Sequence, residues 1–274
     1  MGSDGVGSDG VGSGSAYREV GDAEAEAANR ADWDAEADDY QREHGAFLGD
    51  TRFVWCPEGL DEATAHLLGD VSGRRALDLG CGAAQCARWL RLNGATAIGL
   101  DLSFRQLQHS HRIDADTDVA LPVVCGSVSR LPFADGSFDV VASAFGALPF
   151  VVDIVRAVTE VTRVLSPGGL FAFSVVHPVR RMFPDDPSHN GLTIIRSYFD
   201  RSSYVEVGPD GAPSYVEPHH TMGDWVGAIE ASGLRLQRLV EPTWPAGHDR
   251  VWGGWGPVRG SLLPGTAIFL TRKP

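Results

Sequence analysis

Short apolar runs and amphipathic stretches alternate along the chain from residue 76 onwards. The apolar runs have the length of buried strands, and the stretches between them have helical spacing. Such alternation predicts parallel strands joined by crossover helices. The predicted strands are residues 76–79, 96–100, 122–125, 138–144, 170–176, 234–240 and 266–271. The pattern therefore predicts an α/β fold, with a doubly wound and mostly parallel seven-stranded sheet.

Capping residues mark several helix boundaries. Ser103 is placed to cap the helix that follows it, and Thr221 with Asp224 resembles a capping box. The Pro-Gly-Gly sequence at 167–169 would end the preceding helix sharply. The predicted helices of this part of the chain are residues 85–93, 104–111, 152–165 and 222–231.

The chain divides into three parts. Residues 1–22 are a Gly-Ser-rich, acidic tail that we expect to be flexible, because such sequence cannot bury a core. Residues 23–70 are predicted to form an N-terminal helical cap or lid, with an acidic helix followed by a short one. Residues 71–274 form the main domain, with an insert over 178–220 after the fifth strand that contains a β-ribbon.

Composition narrows the classes of function. The formal net charge is −13, and no basic stripe is present, so nucleic acid is not an expected partner. No run of 18 apolar residues and no secretory signal is found, so no membrane association is expected. Four cysteines without paired spacing indicate reduced thiols, no metal site and a cytoplasmic protein.

A glycine-containing turn follows the first predicted strand, at Asp78-Leu79-Gly80-Cys81-Gly82. Such a turn lets the backbone approach a nucleotide-like ligand, and either a dinucleotide or an adenosyl cofactor is possible. A dinucleotide fingerprint needs a third glycine where Gln85 stands, and Asp78 would repel a pyrophosphate. Asp101, at the end of the second strand, suits the ribose hydroxyls of either ligand. The turn favours an adenosyl cofactor, and an ordinary strand-to-helix turn is the alternative.

Four ordered segments resemble the class I, Rossmann-like S-adenosylmethionine-dependent methyltransferases, especially those of ubiquinone and menaquinone biosynthesis. They are ALDLGCGAA (76–84), GLDLS (99–103), CGSVSRLPFADGSFDVV (125–141) and EVTRVLSPGGLFAFS (160–174). The resemblance covers the chain from about residue 23 to the C-terminus. It implies S-adenosylmethionine as the cofactor and a small molecule as the methyl acceptor.

The resemblance also implies which residues contact the cofactor. They are Asp78, Gly80 and Gly82 around the methionine part, Asp101 at the ribose, Leu102 against the adenine, Ser127 and Val128 at the adenine edge, Ala144 near the methionine end, and Tyr40 as a lid tyrosine. Two positions depart from the family pattern. Ala84 stands where a third glycine is frequent, and Ser127 stands where an aspartate commonly contacts the adenine amino group. A structural role is the alternative for Tyr40.

His177 is the leading candidate for a catalytic base. It follows the fifth strand directly, at the sheet edge where ligands bind in open α/β folds, and imidazole titrates near neutral pH. The alternative is a histidine that holds the Pro178 turn by hydrogen bonds. The adjacent His219 and His220 could reach the same cleft, but no carboxylate stands at metal-ligand spacing, so no metal is expected.

Aromatic residues outside the core strands suggest an apolar acceptor pocket. Trp55, Trp252 and His219 are the predicted acceptor contacts, and the long loop over 241–264 carries three tryptophans. Arg180 and Arg181 could hold an acidic acceptor, although ordinary surface arginines are the default interpretation. A hydrophobic cluster beneath long loops is the alternative for the aromatic residues.

The leading hypothesis is methyl transfer to an oxygen, nitrogen or carbon atom of a small molecule. Three alternatives stay open: a cofactor-binding regulatory protein without catalysis, a nicotinamide-dependent oxidoreductase, and a protein methyltransferase. The sequence does not identify the acceptor or the oligomeric state.

Overall fold

The computed structural model describes residues 14–274, and ten strands and seven α-helices follow one another within them. The strands are β1 (Gly14–Arg18), β2 (Arg75–Leu79), β3 (Thr96–Asp101), β4 (Val123–Cys125), β5 (Phe138–Ala144), β6 (Leu165–Val176), β7 (Ser203–Val207), β8 (Pro213–Glu217), β9 (Arg235–Val240) and β10 (Thr266–Arg272). The helices are α1 (Asp22–Leu48), α2 (Glu62–Ala65), α3 (Gln85–Leu92), α4 (Phe104–Thr117), α5 (Ile154–Val164), α6 (Met222–Ala231) and α7 (Pro257–Gly260). From β2 to β6, strands alternate with helices as the sequence pattern predicts, except that β5 follows β4 with no helix in the described residues between them.

Seven of these strands form the central sheet, in the order β4-β3-β2-β5-β6-β10-β9. Neighbouring strands are parallel, except that β10 runs antiparallel to both β6 and β9. The chain moves outward from β2 to β4 and then resumes at β5 on the other side of β2. In doubly wound sheets, ligands bind beyond the carboxyl ends of the strands at such a reversal. The predicted Rossmann-like sheet is confirmed.

Apolar side chains cover both faces of the sheet. On one face Phe173 of β6 and Phe269 of β10 stack with 4.9 Å between ring centroids, and Trp225 of α6 packs on both. On the other face α3 buries Ala87 and Leu90. Full burial of a large apolar side chain stabilises a fold by roughly 1.5–3 kcal/mol. The sheet is therefore a rigid support for the loops at its carboxyl edge.

Both predicted helix caps are present. The Ser103 hydroxyl accepts a hydrogen bond from the Gln106 N–H at 3.1 Å. Thr221 and Asp224 form the reciprocal capping box at the start of α6. Side-chain oxygens here satisfy N–H groups that have no partner within the helix.

Strand β6 is longer than predicted. The sequence places a helix up to residue 165 and a strand from 170, whereas α5 ends at Val164 and β6 begins at Leu165. Leu165 pairs with Phe138 of β5, and the Pro-Gly-Gly sequence lies within the strand at an irregularity of its register. Proline is tolerated in a strand where the ladder is interrupted, so it does not separate the two elements here.

The insert and the N-terminal segment form a second, smaller sheet. Strands β7 and β8 are the predicted ribbon, and β1 pairs antiparallel with β7 from Gly14↔Val207 to Arg18↔Ser203. The prediction of a flexible tail up to residue 22 is therefore wrong for residues 14–22, and for residues 1–13 it lies outside the described part of the chain. Every β1 residue is exposed. Main-chain hydrogen bonds to β7 order this strand. The composition of residues 14–18 does not indicate such pairing.

Helix α1 lies across the carboxyl edge of the large sheet. At one end Asn29 binds the main chain of Val216 in β8 through both of its amide atoms, at 2.8 and 2.9 Å. Further along, Asp34 accepts hydrogen bonds from the Ser103 hydroxyl and the Arg105 N–H at the start of α4. The helix is thus fixed at both the insert and the main domain. Of the helices in residues 14–274, none combines the length and the apolarity that crossing a membrane requires.

Candidate functional site

A cleft opens where the sheet order reverses, between α1 and the carboxyl ends of β2, β3 and β5. Its empty volume is about 1240 Å³ with the open mouth included. One face of α1 closes it, because all but one of the intervals between the lining residues of that helix are three, four or seven positions. They are Asp22, Glu26, Asn29, Trp33, Tyr40, Gln41 and Leu48.

All of the predicted cofactor residues line this one cleft. They are Tyr40, Asp78, Gly80, Gly82, Asp101, Leu102, Ser127, Val128 and Ala144. They come from α1, from the ends of β2, β3 and β5, and from the loop after β4. The structure thus brings together residues that lie up to 104 positions apart in the sequence, 144 minus 40. Their individual contacts with the cofactor stay predictions.

The glycine turn is shaped by a close approach of two loops. Gly80 has a φ of +70°, and a Cβ atom on it would lie 2.2 Å from the backbone nitrogen of Ala147, after β5. No side chain fits in that space. Ala84, at the position of the frequent third glycine, adopts a left-handed φ of 62° and immediately precedes α3. Gly80 is therefore required by the packing of the turn as well as by its conformation.

Two carboxylates flank the turn, Asp78 buried and Asp101 half-buried. Asp78 accepts a hydrogen bond from the Ala87 N–H at 2.9 Å, and Asp101 accepts from Gly82 N–H at 2.7 Å and Ser103 N–H at 2.8 Å. Burial raises the pKa of Asp78 to about 7, and burial also raises the pKa of Asp101. Ionised carboxylates have lone pairs left for further donors. Ligand hydroxyl or ammonium donors would offset the cost of burying these charges.

The raised pKa of Asp78 links stability to pH. The folded, ligand-free protein keeps a proton on Asp78 up to a pH of about 7, whereas the unfolded chain releases it at a pH of about 4. Because the native state binds more protons over this interval, the contribution of Asp78 to the free energy of unfolding falls as the pH rises. A cationic group bound to the ionised Asp78 carboxylate would restore this contribution to the free energy of unfolding.

At the Ser127 end of the cleft, α1 contributes a carboxylate that sequence reasoning missed. The Ser127 hydroxyl donates a hydrogen bond of 2.5 Å to Glu26 Oε2, and Arg30 pairs with the other oxygen of Glu26 at 3.2 Å. Both Glu26 and Ser127 line the cleft. A carboxylate is therefore present beside residue 127, on a helix rather than on the loop. The only sign of this carboxylate in the sequence is that Ser127 stands where the family commonly has an aspartate.

Aromatic rings cover the cleft near Tyr40. Trp33 packs edge-on against Tyr40 and Phe150, each with 5.4 Å between ring centroids. Trp252, from the long loop after β9, stacks on His44 at 3.9 Å and lies nearly parallel to Phe145 at 6.1 Å. The long loop thus joins α1 through aromatic contacts.

Phe145 is a lining residue that the sequence did not indicate. Its φ of 54° lies in the left-handed region, which is unfavourable for a non-glycine residue. The Phe145 N–H donates to the Ser174 hydroxyl at 3.0 Å, which in turn donates to the Trp55 carbonyl at 2.8 Å. Backbone strain held by surrounding contacts in this way is frequent at functional sites.

Two of the predicted acceptor contacts lie away from this cleft. Trp55 is fully buried in the core on the α3 side of the sheet, where its Nε1–H donates to Glu62 at 2.8 Å. His219 lines a separate cavity and donates through Nε2–H to the Tyr198 carbonyl. The interpretation of Trp55 as an acceptor contact is wrong, because its polar atom has a partner within the core.

The third predicted acceptor contact, Trp252, lies behind the wall of the cleft. Its ring packs against two residues that line the cleft, Phe145 and Tyr40. Their ring centroids lie 6.1 and 6.2 Å from that of Trp252. Trp252 therefore supports the aromatic wall, and direct contact with an acceptor stays a prediction.

His177 lacks the free ring nitrogen that a general base needs. Its Nδ1 accepts a hydrogen bond from the Val179 N–H at 3.2 Å, so Nε2 carries the proton and donates to Glu241 at 3.0 Å. Burial lowers the pKa of His177. The residue caps the short 3₁₀ turn Pro178–Met182 and does not line the cleft. The structure thus favours the alternative interpretation, a histidine that holds the Pro178 turn.

Comparison with known proteins identifies the family. A family model described as a methyltransferase domain matches residues 77–173. A demethylmenaquinone methyltransferase of Mycobacterium sp. (strain KMS) is 39% identical over 229 residues, which cover 81% of this chain and 83% of that protein. The chain belongs to the class I S-adenosylmethionine-dependent methyltransferases. The methyltransferase thus uses the adenosyl cofactor. The alternative of a nicotinamide-dependent oxidoreductase is therefore wrong.

Solved structures agree with this assignment. An S-adenosylmethionine-dependent methyltransferase from Mesorhizobium loti is 26% identical, with a TM-score of 0.58, and the match covers 80% of this chain and 98% of that one. The 1,6-didemethyltoxoflavin-N1-methyltransferase of Burkholderia thailandensis was solved with bound 1,6-didemethyltoxoflavin and S-adenosylhomocysteine. It shares the fold at a TM-score of 0.58 and 14% identity, covering 93% of this chain and 91% of that one.

Proposed function

We propose that this methyltransferase acts on a small acceptor with a flat, largely apolar ring, and that the ring binds in the same cleft as the cofactor. One observation carries the proposal. Trp33, Phe145 and Phe150 line the cleft together with Asp78 and Asp101. Apolar and aromatic walls with a few polar groups are typical of small-molecule sites. The relative named for demethylmenaquinone supports a ring-bearing acceptor.

The two carboxylates and the glycine turn fit the cofactor. S-adenosylmethionine supplies an activated methyl group, whose bond to sulfur breaks as the acceptor atom forms its own bond to the methyl carbon. We assign Asp101 to the ribose hydroxyls and Asp78 to the methionine end, where its charge favours a cationic group. The aromatic cover and α1 would exclude water and align the acceptor, which is the main contribution that such a transfer needs from the protein.

The cellular setting is part of the proposal. Among residues 14–274 all four cysteines are free thiols, which supports a reducing, cytoplasmic location. The net charge of −13 supports a small-molecule acceptor rather than nucleic acid.

The proposal is tested by calorimetric titration and by turnover. We expect S-adenosylmethionine and S-adenosylhomocysteine to bind in the micromolar range, and NADH, the control, not to bind. Transfer of a labelled methyl group from S-adenosylmethionine to 1,4-naphthoquinol would support a ring-bearing acceptor. Adenosyl binding without transfer to any member of a panel of phenols, quinols and heteroaromatic amines would instead support the regulatory alternative.

Glu26 would replace the family's loop carboxylate as the acceptor for the adenine amino group. Glu26→Gln should weaken binding of S-adenosylhomocysteine about tenfold, because a hydrogen bond to a charged group contributes roughly 1.5–3 kcal/mol. The wild type should prefer S-adenosylhomocysteine over S-inosylhomocysteine, which has an oxygen in place of the amino group. That preference should shrink in Glu26→Gln, because an amide can also donate a hydrogen bond.

The matched control for this prediction is Glu24→Gln, on the same helix. Glu24 pairs with Arg18 at 2.6 Å and does not line the cleft, so its variant should bind both nucleosides as the wild type does. Calorimetry gives all the affinities. An unchanged preference in Glu26→Gln would show that Glu26 holds α1 to Ser127 without contacting the adenine.

A further inference from the structure

A second cavity lies at the carboxyl end of β6, beside the cleft. Its empty volume is about 410 Å³ with the mouth included. Apolar side chains form part of its wall and basic or imidazole groups form most of the rest. The lining residues that matter here are Pro149, Trp225, Arg180, Arg181, Glu217 and His220.

The two arginines of this cavity have different surroundings. Arg180 is paired with Glu217 at 2.9 Å and with Asp185 at 3.4 Å. Arg181 has no ion pair with any described residue. Its Nη2–H donates to the Ser202 carbonyl, its guanidinium lies 4.6 Å from the centroid of the Tyr17 ring, and its Nε is buried without a partner. A half-buried cation without a counterion is costly.

Among the described residues that line the cavity, no side chain forms an ion pair with Arg181, although the charge of Glu217 attracts it at longer range. Glu217, the only carboxylate among the lining residues, is already paired with Arg180. His177, His219 and His220 each bind a main-chain or carboxylate partner, and burial lowers the pKa of each of them. At neutral pH the cavity therefore presents one unpaired positive group, Arg181.

The cavity and the cleft are separated by a single turn. Pro149 lines the cavity, whereas its neighbours Phe150 and Val151 line the cleft. His220 of the cavity donates through Nε2–H to the Val151 carbonyl at 2.8 Å. A ligand anchored in the cavity would lie one residue layer from the aromatic part of the cleft, at the sheet edge where substrates of α/β enzymes bind.

We propose that the second cavity binds a carboxylate group of the methyl acceptor through Arg181, with Trp225 and Pro149 against the apolar atoms next to that carboxylate, while the ring that receives the methyl group lies in the cleft. The inference rests on the proposed function, since it names the acceptor as an aromatic or heteroaromatic acid. The paired Arg180 keeps its carboxylate partners, and the acceptor supplies the counterion that Arg181 lacks.

The test uses benzoate as the probe and benzamide as its uncharged counterpart. Both are titrated by calorimetry into the full-length protein saturated with S-adenosylhomocysteine. We expect benzoate to bind at least about tenfold more tightly than benzamide, which is the effect of one charge-assisted hydrogen bond. Arg181→Gln should abolish the preference, and Arg181→Lys should keep part of it.

Controls separate this inference from the proposed function. Arg91→Gln changes an exposed arginine of α3 that lines neither cavity, so it should keep the preference for benzoate. Arg181→Gln should keep wild-type affinity for S-adenosylhomocysteine. No binding of benzoate, or equal binding of benzoate and benzamide by the wild type, overturns the inference. Failure of the wild type to bind S-adenosylhomocysteine would overturn the proposed function instead.

Discussion

Gly80→Ala should abolish cofactor binding and lower the melting temperature strongly. The added Cβ atom would lie 2.2 Å from Ala147 N and 2.6 Å from Gly146 Cα, and backbone atoms cannot move aside as a flexible side chain can. The left-handed φ of +70° adds to the cost. We expect a loss of about 3 kcal/mol or more in the free energy of unfolding, which corresponds to roughly 6–12 °C in a protein of this size.

The control is Gly136→Ala. Gly136 has a similar φ of +64°, and no atom lies within 4 Å of the position that its added Cβ would take, so only the conformational cost of about 1–2 kcal/mol applies. Thermal melts and titration with S-adenosylhomocysteine compare the two variants. If both variants melt alike and bind equally, the contact between the glycine turn and the 146–147 loop does not shape the site.

The sheet and the cofactor cleft could be predicted because their signals are local. Strand β2 is a short apolar run, the glycine turn follows it directly, and Asp101 ends the next strand. Parallel strands place their carboxyl ends at one edge, so residues at those ends converge without any need to know side-chain packing. This is why the predicted residues from Asp78 to Ala144 meet in one cleft.

Contacts between distant segments could not be predicted in the same way. Glu26 and Ser127 lie 101 positions apart, and nothing in either segment specifies the other. Strand β1 is ordered by the edge of β7, although its own composition resembles a solvated tail. Phe145, with its left-handed conformation, donates its N–H to the Ser174 hydroxyl, which belongs to a neighbouring strand.

Residue type alone also failed to distinguish roles. Trp55 and Trp252 are both aromatic residues in connecting segments, yet Trp55 lies in the core with Glu62 as its partner and Trp252 stacks on His44. His177 occupies the sheet edge expected of a catalytic base. The sequence placed His177 correctly at this edge. It could not show that Nδ1, the nitrogen that a base would use, accepts a hydrogen bond from the Val179 N–H.

Asp101→Ala should weaken binding of S-adenosylhomocysteine about 10- to 100-fold. The ribose hydroxyls would lose a charged acceptor, and the Gly82 and Ser103 N–H groups would lose the hydrogen bonds of 2.7 and 2.8 Å that set the turn. Leaving such buried donors unsatisfied costs roughly 1–3 kcal/mol, and each 1.4 kcal/mol is a factor of ten in affinity. Asp116→Ala, an exposed site on α4, controls for the change in net charge and should bind as the wild type does.

The pH dependence of the same titration identifies the carboxylate that is responsible. Burial raises the pKa of Asp101 in the ligand-free protein, and hydroxyl donors favour its ionised form, so wild-type affinity should fall as the pH is lowered through that raised pKa. Asp101→Ala should lose this part of the dependence and keep the part that belongs to Asp78, whose pKa is about 7. A variant with wild-type affinity and an unchanged pH profile would remove Asp101 from the ribose site, and the adenosyl group would then have to be held by the Gly82 and Ser127 segments alone.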